Sequence, residues 1–269
     1  MPFRILSLNA WGGRVFEPLI AYLRDVEADV YCLQEVTRTR DAPDPWLEYR
    51  DGSHVLPQRA SLFDEIGKAL PDHAGAFFPA ACGTLFHNGQ TVPSEFGLAT
   101  FVHARHAIIG EALGFLHGDY SPDGWGGHPR PRNAHCLRLF DRNGGRTLTV
   151  AHMHGLRDPA GKGDTAARVA QAEALARLVA TGWKRGEPLV VCGDFNVLPG
   201  STTFEALGRL GLVDLVTGRG HTDTRTSLYP KDGRYADYML ATADVEVLAF
   251  DAVAEPEVSD HRALLLDMA

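Results

Sequence analysis

The 269-residue sequence has no stretch approaching the roughly 18–20 unbroken apolar residues that a membrane-spanning helix needs. Its N-terminus, MPFRILSLNAWGG, has too short an apolar run and the wrong order of charges for a secretory signal, so a cytoplasmic protein is expected. Cysteine is scarce: Cys32, Cys82, Cys136 and Cys192 show no C-x-x-C or similar metal-ligand spacing. Cys32 and Cys192 fall inside strand-like runs, and the set reads as reduced core thiols rather than a disulfide framework. Excess positive charge is lacking too. With 26 Lys and Arg against 34 Asp and Glu, the formal charge is −8. That disfavours a broad basic surface for extended duplex nucleic acid and leaves local single-strand binding open. Repeats, low-complexity tracts and long linkers are absent as well. The 45% hydrophobic and 22% charged content is that of an ordinary globular chain, long enough to bury its own core and expected to form a single domain over residues 1–269.

What is present is a succession of short apolar runs bounded by Gly, Pro, Asn and Asp. Strands are expected at about 3–9, 29–35, 76–81, 96–102, 107–113, 135–141, 146–153, 188–193, 235–241, 246–252 and 262–267. Helices fit 15–27, 61–70 and 202–210. The clearest is DTAARVAQAEALARLVATG, capped by Asp164 or Thr165 and ended by Gly182. Strands outnumber helices and come partly in neighbouring runs, which predicts α+β or a layered α/β sandwich rather than a βαβ repeat. Segments 38–58 and 114–134 carry no clear period. Both contain Trp, His and Arg, which suits a substrate rim.

One pattern repeats along the chain. FRILSLN ends on Asn9, DVYCLQE on Glu35, TLTVAHMH on His154, and LVVCGDFN on Asp194 and Asn196. Strand alternation would put Asp194 and Asn196 on one side and Phe195 on the other. Each terminus alone reads as a strand-ending polar residue. Four together, with EVSDH before the last strand, predict convergence into a site of oxygen donors, and such sites suit Mg²⁺ or Mn²⁺.

The ordered set LN (8–9), LQE (33–35), E-x-GLA (95–99), H-x-H-G (152–155), GDFN (193–196), DY (237–238) and SDH (259–261) resembles the endonuclease/exonuclease/phosphatase superfamily, from about residue 3 to 267. The resemblance implies a four-layer sandwich, two packed β-sheets flanked by helices, with the active site at one edge of the sheets. It implies Glu35 as the principal Mg²⁺ ligand, with Asn9 at the metal end and Asp260 beside the metal or beside His261. Asp194 would position or deprotonate the attacking water, and Asn196 would hold a phosphate oxygen. His261, oriented by Asp237, would contact the scissile phosphate. His154 would be the second histidine and Glu95 the carboxylate paired with it. Many members have Asn-x-His where this chain has His152-Met153-His154. Which histidine faces the phosphate is therefore open, and Gly155 after His154 favours the latter.

Among lesser candidates, Arg132 lies just before a strand where some members carry a substrate-facing arginine. Lys162 opens the clear helix, whose N-terminus offers free N–H groups to an anion; Arg168 and Gln171 on that helix could face the site or solvent. His152 is kept as a substrate contact. The expected activity is metal-dependent hydrolysis of a phosphodiester or phosphomonoester, the substrate being a small phosphoester or a nucleic-acid end. A DNA or RNA nuclease is the second reading, and a catalytically silent binding module the third. No membrane partner is expected, and the oligomeric state is open.

Overall fold

The computed structural model describes residues 2–52 and 54–269. In chain order the elements are β1 (Phe3–Asn9), α1 (Phe16–Val26), β2 (Val30–Arg38), β3 (Trp46–Asp51), β4 (His54–Arg59), α2 (Leu62–Ala69), β5 (His73–His87), β6 (Gln90–His103) and β7 (Ala107–His117). There follow β8 (Arg132–Asp141), β9 (Arg146–His154), α3 (Ala166–Gly182), β10 (Leu189–Asp194), α4 (Thr202–Gly208), β11 (Val213–Asp214), α5 (Leu215–Gly218), β12 (Asp237–Ala241), β13 (Val247–Val253) and β14 (Ala263–Met268). They form an eight-stranded sheet, β13-β14-β1-β2-β6-β5-β3-β4, and a six-stranded sheet, β11-β12-β10-β9-β8-β7. The layered α/β sandwich is thus what the molecule adopts.

Alternation in β1 sets the layers. Phe3 and Ile5 join the core between the sheets. Leu6 and Leu8 face the other way, against Leu19 and Leu23 of α1 and Ile66 of α2. By that period Asn9 points between the sheets, at the strand's open end. On the second sheet, Leu175 and Val179 of α3 cover the outer face. Thr165, not Asp164, caps α3, accepting from the Arg168 N–H at 3.3 Å. Asp164 instead reaches the start of α4, accepting from Ser201 Oγ at 2.6 Å and the Thr202 N–H at 3.0 Å.

The interior between the sheets is not wholly apolar. Gln34 Nε2 lies 3.3 Å from His152 Nδ1, and His152 Nε2 lies 2.7 Å from Thr100 Oγ1. Thr100 Oγ1 also meets His135 Nδ1 at 2.8 Å, and His135 Nε2 reaches Glu111 Oε1 at 3.0 Å. Gln34 and Thr100 belong to the large sheet, His152 and His135 to the small one, so the chain of hydrogen bonds crosses the interface three times.

Two expectations need correction. The 38–58 segment holds the β3–β4 hairpin, paired from Trp46↔Arg59 to Asp51↔His54 at the rim of the large sheet. β5 and β6 are 15 and 14 residues long, about twice the lengths expected. Pro79, inside the expected strand, sits at a register shift in their pairing and is absorbed there.

Candidate active site

The open ends of β1, β2, β9, β10 and β12 meet at one edge. In the small sheet Asp194 is level with His154 on the parallel neighbour β9 and with Asp237 on the antiparallel neighbour β12. The fold therefore places a carboxylate between a histidine and a second carboxylate by register alone. From the large sheet, Asn9 Nδ2 donates to Asp194 Oδ2 at 3.1 Å, tying the two sheets together at the site. Ser259 Oγ hooks the Asn9 carbonyl at 2.7 Å, which brings the SDH segment alongside.

Glu35 shows how local backbone overrides the strand period. Alternation after Leu33 would send it out towards the helices. The β2–β6 register shifts between Leu33 and Val36, and Glu35 takes a left-handed φ of +54°. This bulge turns the carboxylate inward, 3.8 Å from His154 Nε2. Asn196 also differs from expectation. β10 ends at Asp194, and Asn196 lies beyond it at φ +54°. It reaches the same side as Asp194 through a turn in which its N–H donates to Asp194 Oδ1 at 3.0 Å. Its Nδ2 donates to the Gly155 carbonyl at 3.3 Å.

His261 and Asp237 form a buried dyad, with Nδ1 at 2.8 and 2.9 Å from the two carboxylate oxygens. That bond fixes the proton on Nδ1 and turns Nε2 towards Asp194 Oδ2, 3.8 Å away, and Asp260 Oδ1, 3.7 Å away. Burial pushes Asp237 up to about 7 and His261 down to about 4, the latter with Arg225 adding to the effect. His154 is lowered for the same reason, with Arg132 contributing. Burial raises Glu35 and Asp260 as well. Acids and histidines move in opposite directions, the signature of desolvation rather than of any one neighbour.

These residues fit a hard divalent cation. Asp260 Oδ1 is buried and has no hydrogen-bond partner among the described residues. An orphaned carboxylate oxygen beside a second desolvated carboxylate is costly unless a cation completes it. Asp194, Asp237 and His261 also offer donor atoms within 4.8 Å of one another. Asn9, Glu35 and Asp260 flank the same group, with Asn9 bonded to Asp194 and Glu35 acting on the charge of Asp260.

The remaining candidates divide. Arg132 is buried beside the cluster, donating from Nε to the Gly155 carbonyl at 2.9 Å. Burial lowers it to about 10, against the pull of Glu35 and Asp194. Lys162 Nζ donates to the carbonyls of Gly233, at 2.7 Å, and Tyr235, and Asp194 and Asp237 act on its charge. His152 does not join the cluster, since both its ring nitrogens are engaged in the interior by Gln34 and Thr100. Glu95 is not brought to His154: no hydrogen bond or ion pair joins them among the described residues, and Glu95 acts instead on Cys82. Arg168 and Gln171 are both buried and hold the backbone behind the site rather than facing solvent. Arg168 binds the carbonyls of Gly163, Leu156, Gly161 and Asn196, and Gln171 accepts from the Leu156 N–H. Arg225 was not anticipated. Its Nη1 donates to Asp260 Oδ2 at 2.9 Å and to His261 Nε2. It lies in HTDTRTSLYP, a polar loop without period, and nothing in the sequence marks it.

The sequence profile of the Endonuclease/Exonuclease/phosphatase family matches residues 6–261. The chain belongs to that family. Its fold is similar to that of a family protein from Bacteroides vulgatus, at 18% identity and TM-score 0.65, covering 100% of this chain and 99% of the other. It is similar to a mannosyl-6-phosphatase from Bacteroides thetaiotaomicron, at 15% identity and TM-score 0.68, covering 99% of each chain. It is also similar to the human nocturnin catalytic domain with bound sulfate anion, at 21% identity and TM-score 0.64, covering 100% of this chain and 93% of that one. No curated protein matches the sequence. Members of the family are phosphoester hydrolases, and no helix among the described residues is long and apolar enough to cross a membrane.

Proposed function

We propose that this protein is a magnesium-dependent phosphoesterase, cytoplasmic, acting on a small phosphoester or a nucleic-acid end, with Mn²⁺ able to replace Mg²⁺. The observation that carries the reading is the level set His154–Asp194–Asp237 with His261 hydrogen-bonded to Asp237. A phosphoester anion repels nucleophiles and releases a poor alkoxide leaving group. Glu35, Asn9 and Asp260 would hold the ion, which supplies neutralisation of phosphate charge when bound. Asp194, held by Asn9, aligns water for in-line attack and takes its proton. His261, kept in one tautomer by Asp237, and His154 face the phosphoryl oxygens, and Asn196 offers its remaining amide hydrogen. Lys162 and Arg132 add positive charge at the edge.

A structural neighbour that is a mannosyl-6-phosphatase supports a small phosphomonoester. The acidic balance of the chain points away from extended duplexes. The test is hydrolysis of a chromogenic phosphodiester and its matching monoester with Mg²⁺, with Mn²⁺ and with EDTA. Metal-dependent turnover that disappears in His261→Ala supports the reading, and the diester-to-monoester ratio narrows the substrate. Absence of turnover on either, together with absence of metal binding, would favour a silent binding module.

A further inference from the structure

The segment Arg219–Ala236 is strapped to the SDH segment rather than free. Arg225 and His261 form an antiparallel bridge, the Thr226 N–H donates to the Asp260 carbonyl at 3.2 Å, and the Arg262 N–H donates to the Thr224 carbonyl at 2.9 Å. Thr226 Oγ1 adds a bond to the Ser259 carbonyl at 2.7 Å. Thr224 Oγ1 accepts from the N–H groups of Ala236 and Asp237 at 3.0 and 3.2 Å. The main chain at Arg225 is therefore fixed at both ends to the residues that build the dyad.

The side chain is fixed as well, yet not satisfied. Arg225 is 5% exposed. Its guanidinium carbon stacks 4.2 Å from the Tyr229 ring centroid. Nη1 alone serves both Asp260 and His261. Nε is buried without a partner, and Nη2 makes no hydrogen bond among the described residues. Arg130 and Arg146, in ion pairs with Asp51 and Asp141, also leave Nε buried without a hydrogen bond, but two other ion pairs look different. Arg4 spends Nε and Nη2 together on Asp267, at 2.7 and 2.9 Å, and Arg138 does the same on Glu187. Arg225 meets Asp260 through Nη1 alone, so neutralising that carboxylate leaves part of the guanidinium unused. Its Nε is buried and unpaired, where an unmade hydrogen bond is costly, while Nη2 has no partner among the described residues and is not closed off.

We propose that Arg225 binds the phosphoryl group of the substrate through its unpaired Nη2, with Tyr229 behind it as a positioning residue. A planar guanidinium held at Nη1 and stacked on Tyr229 presents Nη2 in a fixed direction, as a flexible lysine ammonium does not. The inference rests on the phosphoesterase reading for its role in turnover, but the binding step is measurable alone. Inorganic phosphate is titrated calorimetrically into wild type, Arg225→Gln, Arg225→Lys and Tyr229→Leu, in EDTA and in Mg²⁺, beside hydrolysis of p-nitrophenyl phosphate. Arg225→Gln should weaken phosphate at least about 10-fold in both media and slow turnover by roughly 10²–10³. Arg225→Lys should recover part of the affinity. Tyr229→Leu should raise KM with kcat nearly kept.

Wild-type phosphate affinity in a folded Arg225→Gln protein overturns the proposal, as does failure of wild type to bind phosphate at about 10 mM. If Arg225→Gln does not fold, Arg225→Lys with wild-type affinity overturns it equally. Arg225-dependent phosphate binding without hydrolysis would sink the catalytic reading and leave this one standing. Hydrolysis with Arg225-independent binding would do the reverse.

Discussion

Gly155 is where a single methyl group tests the geometry of the site. It follows the last residue of β9, its N–H donates to the Asp194 carbonyl at 2.6 Å, and its own carbonyl takes Arg132 Nε and Asn196 Nδ2. A Cβ at this position would lie 2.3 Å from the Phe195 carbonyl oxygen and 2.7 Å from its carbon. Contact at about 3.0 Å is the least such an atom tolerates, so Gly155→Ala must move the two backbones apart by about 0.7 Å. Neither partner is a flexible side chain. The displacement falls on Asp194–Asn196 relative to His154, the pairing on which the proposed chemistry depends. A misplacement of that order costs up to about 10²-fold in rate, and the overpacking costs about 1–3 kcal/mol of stability. We expect kcat on p-nitrophenyl phosphate to fall roughly 10- to 100-fold with a lowered melting temperature. Gly208→Ala, at the end of α4 with open space around it, is the control and should leave the rate unchanged. Wild-type kcat and an unchanged melt in Gly155→Ala would refute the reasoning.

Glu35→Gln should raise the Mg²⁺ concentration for half-maximal turnover at least about 10-fold; a metal titration superimposable on wild type would remove Glu35 from the cradle. Asp237→Asn takes the carboxylate from His261 Nδ1 and should lower kcat by about 10²–10⁴ with little change in KM. A KM effect alone would mean the dyad only binds substrate. Burial lowers His135 from 6.5 to about 4, so the fold holds it neutral while the unfolded chain takes up a proton. Its stabilisation is complete above about pH 6.5 and is lost as pH falls from 6.5 towards 4, at up to about 1.4 kcal/mol per pH unit. His135→Gln should flatten the decline of Tm across that window, and an unaltered decline would refute this.

What the sequence made legible follows from where side chains are buried. β1, with Ile5 inward and Leu6 and Leu8 outward, is flanked by apolar layers on both faces, and its limits of 3–9 were readable to the residue. The β3–β4 hairpin lies at the exposed rim, where Glu48, Arg50 and Asp51 face water and no apolar period is needed, so it read as loop. At the site, Asn9, Glu35, His154 and Asp194 stood out because each ends an apolar run. The inward turn of Glu35 could not be read, since it depends on a bulge opposite β6. Arg225 was invisible for a related reason: its place comes from an antiparallel bridge to a segment 36 residues away, which leaves no local pattern.

The hydrogen-bonded chain of Gln34, His152, Thr100 and His135 bears on how this sequence can change over generations. Its aliphatic neighbours between the sheets can exchange Leu, Ile and Val one at a time, each step passing through a working molecule. A change at any one of the four strands its partner's polar atom in the dry interior, so single steps lead downhill and only concerted replacement by an apolar set leads out. Descendants of this chain should therefore inherit the four residues as a block, coupled in their mutational effects although they lie on four different strands.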